Sequence, residues 1–107
     1  MRPVRPEITP LHWWAVVTVD EDGRVGLERV GEGEWWAGMW RVPTFSEPPA
    51  SGEEMGSVRA TVTRYRIEIS VIRANDPGAE LTWFAPGELA ELAIPAPYRR
   101  VLKIAGF

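Results

Sequence analysis

Four arginines, Arg59, Arg64, Arg66 and Arg73, fall within one β-prone stretch. Their mean spacing suits an edge that tracks the phosphates of a nucleic-acid backbone; the same row also reads as an ordinary solvated strand face. Tryptophans come in adjacent pairs, Trp13–Trp14 and Trp35–Trp36. Such rings can stack on bases, but in a small domain they more often fill the core. Arg99, Arg100 and Lys103 cluster near the end of the chain, where cations also complement a helix C-terminus without any ligand. His12, the single histidine, is the one imidazole available to a Ser-His-Asp triad; as a polar residue at a strand end it needs no chemistry.

Diphosphate hydrolysis with Mg²⁺ requires clustered carboxylates on a helix with an Arg-Glu-x-x-Glu-Glu core. The acids Glu47, Glu53 and Glu54 lie in a Pro/Gly-rich stretch too short for that helix and without its arginine. Glu88 and Glu91 have helical spacing, but an isolated pair reads as a solvated face. No metal site is expected, and no cofactor. The chain has no cysteine, which excludes a disulfide scaffold, a thiolate nucleophile, an iron–sulfur cluster and cysteine-based zinc sites.

The elements that must position these residues fit in one domain, since 107 residues hold no second core of useful size. The net charge of −3 argues against gripping nucleic acid by bulk charge alone. That charge is uneven: residues 1–58 carry five arginines against ten acids, whereas 59–107 carry seven cations against five acids. The C-terminal half is therefore the better candidate for an anionic partner. No run reaches membrane-spanning length and the N-terminus lacks a signal-peptide core, so the expectation is a soluble, cytoplasmic, monomeric domain.

Residues 1–11, punctuated by Pro3, Pro6 and Pro10, read as a linker or N-terminal arm, and 12–107 as the domain. Apolar residues on both faces of 12–19 suit a central strand. A turn at 20–23 and a strand over 24–30 make 12–30 a hairpin, and 35–42 is a short apolar segment. Residues 43–57 read as irregular, with at most a helical turn around Glu53 to Met55. A long strand is expected over 58–73. Tyr65, Ile67, Ile69 and Val71 alternate there with polar residues, while Val58, Ala60 and Val62 hold the opposite parity; a bulge or bend near Thr63 reconciles the halves. A turn at 75–78, a strand over 81–85 and a short helix after Pro86 follow. In a final helix, Tyr98, Val101, Leu102 and Ala105 form one stripe. Strands first and helices last give an α+β domain with a mixed or antiparallel sheet.

Three segments, in this order, resemble one family. Gly23 to Arg29 with Trp35-Trp36-Ala37-Gly38-Met39-Trp40-Arg41-Val42-Pro43 looks like the start of a Nudix-fold domain. It is similar to the Leu-Leu-Ala-Gly-Leu-Trp-Glu-Phe-Pro run in the C-terminal domain of MutY-type A/G-specific adenine DNA glycosylases. Ala60 to Ile69 resembles that family's His-x-Phe-Ser/Thr-His-x-x-Leu segment. Glu88 to Leu102 resembles its Leu-Pro-x-Pro-x-Arg-Lys closing helix. The resemblance covers residues 12–105.

It implies a Nudix-like α/β/α sandwich with a mixed sheet, here with a shortened or missing Nudix helix. It also implies a non-catalytic role: reading 8-oxoguanine opposite adenine in duplex DNA during base excision repair, while a tethered glycosylase domain removes the adenine. Carried over by position, Val62, Thr63 and Arg64 form the lesion-binding site, with Arg59 and Arg66 on phosphates. Thr63 keeps the family's hydroxyl, Val62 replaces its Phe and Arg64 its His. Adenine excision itself is not expected of this chain, which lacks the helical domain that chemistry needs. The alternatives are a small Nudix hydrolase acting on nucleoside diphosphate derivatives, and a Nudix-like module that binds a nucleotide or protein without DNA.

Overall fold

A computed structural model of the chain describes residues 8–75 and 80–107. Most of the turn expected at 75–78 and the first seven residues of the expected arm lie outside the described residues. Seven strands are followed by one 3₁₀ helix and one α-helix: β1 (Thr9–Val17), β2 (Val25–Arg29), β3 (Trp40–Arg41), β4 (Thr44–Phe45), β5 (Glu53–Val62), β6 (Tyr65–Arg73), β7 (Thr82–Phe84), η1 (Pro86–Glu91) and α1 (Ala96–Ile104). They make a Nudix-like α+β fold with a mixed sheet and few helices.

The main sheet has the order β4-β1-β6-β5, and a smaller one the order β3-β2-β7. Within the main sheet β1 runs parallel to β6, and β6 antiparallel to β5. The central place expected for the first strand is confirmed, because its apolar residues face packing on both sides. It starts earlier than expected: Thr9 to Leu11, assigned to the arm, pair with Tyr65 to Ile67.

Three local readings are corrected. The 12–30 hairpin is reduced to its tip, where Asp20 accepts from the Asp22 and Arg24 amides at 3.0 and 2.8 Å. Beyond a single bridge, Val19 with Val25, β1 and β2 diverge into different sheets, since each has a longer partner elsewhere. The long strand over 58–73 is two strands joined by a turn at Thr63 and Arg64, and the parity switch marks a complete reversal rather than a bend. Glu53 to Met55 are strand, not a helical turn. Gly56, at φ 153°, sits where the β5 register slips by a residue, so a bulge carries the strand across the glycine.

The core lies on one face of the main sheet. Ala15, Val17, Ile67, Ile69, Val71 and Val58 meet Leu27 and Val25 from β2 and the stripe Tyr98, Val101, Leu102 and Ala105 of α1. Arg99 fastens α1 to η1, donating to the Leu92 and Leu89 carbonyls at 2.6 and 3.3 Å. Residues 46–52 form bends and irregular chain rather than a helix. Gly52 lies so close to the sheet that a Cβ there would sit 2.5 Å from the Ile72 Cγ2.

Candidate nucleic-acid interface

The β5–β6 hairpin is the longest pairing that the turn chemistry builds locally. Val62 faces Tyr65, leaving Thr63 and Arg64 as a two-residue loop. Only the first of these has positive φ, 50° at Thr63, the position that glycine usually fills in type II′ turns. A β-branched side chain there is strained, and such strain concentrates at functional sites. The loop is braced from the side, because the Thr9 amide donates to the Arg64 carbonyl at 2.9 Å.

The structure thus brings Val62, Thr63 and Arg64 together at one tip, with the side chains of Thr63 and Arg64 exposed and Val62 half-buried against the core. Arg64 lies over the Tyr65 ring, its Cζ 5.6 Å from the centroid. Arg59 and Arg66 are exposed on the sheet face opposite the core, where both line a groove of about 420 Å³ that also contains Glu68. The same face carries His12. Its Nε2 hydrogen-bonds the Ser70 hydroxyl at 2.7 Å and its ring stacks on Trp14 at 4.0 Å. The contacts are structural, but His12 lies inside β1, paired with Glu68, and not at the strand end expected of it.

A second feature lies beside the tip, an aromatic cleft near Trp35, Trp36 and Tyr65 of the kind that the nucleotide- or protein-binding alternative calls for. Tyr65 meets Trp35 at 5.3 Å; Trp35 meets Trp13 and Trp36 at 6.0 and 6.2 Å; Trp36 meets Tyr98 at 5.7 Å. Trp13, Trp35, Trp36 and Tyr98, with Glu34 and Arg41, line a cleft of about 230 Å³. Trp36 is held there at φ 65°, a conformation rare for a bulky residue. Arg41 donates to Glu28 at 3.0 Å and to Glu34 at 3.1 Å. Burial alone would lower its guanidinium pKa, but the hydrogen bond to Glu28 and the two carboxylate charges outweigh it and hold the group above its ordinary value. Burial pushes the Tyr98 phenol up. Its buried hydroxyl has no hydrogen-bond partner among the described residues. The sequence signals for this cleft were Trp35, Trp36 and Tyr65; Trp13, Arg41 and Tyr98 join them from strands and a helix elsewhere in the chain.

The acids do not converge. Glu47 lies in a bend and Glu53 and Glu54 on β5. Glu88 is engaged as a cap, accepting the Ala85 amide at 2.9 Å. Among the described residues no three metal-ligating side chains form a cluster. No helix of the described residues is long and apolar enough to cross a membrane.

Comparison with known proteins places the fold. The NUDIX domain family profile matches residues 14–104. The chain is similar to the MutT protein from Methanosarcina mazei Go1, with TM-score 0.74, 16% identity, and 92% of this chain and 94% of that one covered. It is similar to the E. coli ORF135 protein, with TM-score 0.67, 13% identity, and 92% and 89% covered. It also matches the C-terminal domain of mouse MUTYH, solved in complex with human PCNA, with TM-score 0.62, 14% identity, and 88% and 86% covered. At these identities the likeness is one of fold. No curated protein matches the chain in sequence.

Proposed function

Because the chain belongs to the NUDIX domain family, we propose that it is a non-catalytic DNA-reading module that recognises 8-oxoguanine opposite adenine, in base excision repair, beside an adenine DNA glycosylase domain. The observation that carries this reading is the hairpin tip: an exposed hydroxyl, Thr63, held at positive φ beside an exposed arginine. The chemistry follows from the lesion. Guanine N7 is an acceptor, whereas in 8-oxoguanine N7 carries a hydrogen and C8 a carbonyl. A hydroxyl both donates and accepts, so Thr63 can satisfy the changed edge. A guanidinium only donates, so Arg64 gives up the N7 contact at the lesion but can donate to its new C8 carbonyl, to O6 or to a phosphate. Val62 anchors the tip to the core, and Arg59 and Arg66 position it on phosphates. The net charge of −3 leaves isolated affinity weak, and a tethered catalytic domain supplies effective concentration.

The test is low-salt binding of the chain to duplexes carrying 8-oxoguanine:adenine or guanine:adenine. Thr63→Ala removes one hydrogen bond, which corresponds to about a fivefold loss of preference. Equal binding of both duplexes by the unaltered chain overturns the reading.

A second reading, a nucleotide-binding module without DNA, is favoured by the aromatic cleft and its unpartnered Tyr98 hydroxyl. Quenching of tryptophan fluorescence by a free nucleoside monophosphate, lost in Trp36→Ala, with no binding of either duplex, would select it. The hydrolase alternative finds no convergent carboxylates among the described residues; Mg²⁺-dependent turnover of a nucleoside diphosphate derivative would restore it.

A further inference from the structure

The edge of the main sheet and the last helix enclose a groove of which the DNA-reading site above uses only Arg59. It measures about 400 Å³ and is lined by Ser57, Val58, Arg59, Arg100, Lys103 and Ile104, with no acid among them. The groove on the other side of Arg59, by contrast, includes Glu68. None of the three cations forms an ion pair among the described residues; in the acidic half Arg24 and Arg41 are paired and Arg29 lies over the Trp40 ring. Arg99, their neighbour, is committed to the η1 carbonyls and turns away from this role. Helix-dipole compensation explains a cation only in the last turn. It covers Lys103 and leaves Arg100, mid-helix, unaccounted for.

We infer that the groove between β5 and α1, through Arg59, Arg100 and Lys103, holds the phosphodiester backbone of a DNA strand. Charge complementarity selects an anionic occupant, and continuity selects DNA. β5 runs from Arg59 straight to Thr63, four residues and roughly 13 Å at 3.3 Å per residue. With about 3.4 Å of axial rise per charge on one strand, the groove takes a phosphate roughly four nucleotides from a base at the tip. The assignment rests on the DNA-reading function above, and it adds affinity without adding lesion preference.

The experiment titrates the full 107-residue chain into labelled 8-oxoguanine:adenine and guanine:adenine duplexes over a KCl series, for the unaltered chain, Arg100→Ala/Lys103→Ala and Thr63→Ala. Both groove positions are exposed, and far-ultraviolet circular dichroism checks that the variants fold. The expected result is a double variant whose slope of log K against log salt is shallower by about 2, at roughly 0.9 per phosphate contact, with its lesion preference intact. An unchanged slope and affinity in the double variant, with lesion preference still lost in Thr63→Ala, overturns the groove and leaves the lesion reading standing. A shallower slope without lesion preference in any protein sustains the groove and removes the lesion reading. Binding of neither duplex, with binding of poly-glutamate that the double variant loses, reassigns the groove to an acidic protein partner and overturns the proposal.

Discussion

The indole of Trp35 and the phenol of Tyr65 meet at 5.3 Å between centroids, tilted by 51°. This contact ties the loop over residues 31–39 to the first residue of β6, immediately after the hairpin turn. An aromatic pair of this kind contributes about 1 kcal/mol beyond its buried area. Trp35→Ala is therefore expected to lower the unfolding free energy by about that amount and to speed amide hydrogen exchange at residues 62–66. Exchange at the tip that matches the unaltered chain would show that the ring pair does not brace it.

Thr63 separates strain from recognition. At φ 50° its β-branched side chain costs on the order of 1 kcal/mol, which glycine would not incur. Thr63→Gly should raise the denaturation midpoint while abolishing lesion preference. Thr63→Ala should lose the preference with stability changed by less than about 0.5 kcal/mol. A less stable Thr63→Gly chain in urea denaturation contradicts the strain account.

Tyr98 gives the alkaline limb of stability. Its folded pKa lies above the ordinary phenol value through burial, so the stabilisation is fully present below the unfolded value of about 10 and is lost as pH rises through the folded pKa. Tyr98→Phe removes that dependence. At neutral pH it should cost less than about 0.5 kcal/mol, because the buried hydroxyl has no partner to lose. Thermal melts of both proteins between neutral and strongly alkaline pH decide the matter.

Arg41 holds the floor of the aromatic cleft through Glu28 and Glu34. Its side chain is only 17% exposed, against 27% and 51% for the partners, so the pair is intermediate between surface and buried limits. Arg41→Ala should cost about 1–2 kcal/mol and shift the emission of Trp35 and Trp36. Lost emission change with intact stability would mean the cleft is shaped by the rings alone.

The parts of this fold legible in the sequence were those with their own period. Ile67, Ile69 and Val71 announced the face of β6, and Tyr98, Val101 and Leu102 that of α1; all six are buried. The turn at Thr63–Arg64 was not legible, because neither residue is one that two-residue turns favour; the only trace was the parity switch between Val62 and Tyr65. The partner of β1 was also hidden, since no local signal marks a parallel pairing with β6 and the Asp20 turn suggested β2 instead. At the site, the residues of the tip were reached through resemblance, whereas Arg41 and Tyr98 lay inside matching segments with nothing local to mark them as cleft residues. They meet Trp36 only once three distant elements have folded together.

The parallel pairing of β1 with β6 joins residues 56 positions apart, Thr9 with Tyr65, while the β5–β6 hairpin closes through two residues. Loop-closure entropy makes the second contact far less demanding than the first. Folding thus has a natural order, in which the hairpin forms early and β1 docks onto an existing edge. On that order the strained turn at Thr63 is expected to belong to the folding nucleus, which φ-value measurement on Thr63→Gly checks. A substitution that relaxes it accelerates folding and leaves the unfolding rate nearly untouched, so the residue assigned to reading damage also sets how quickly the domain can appear.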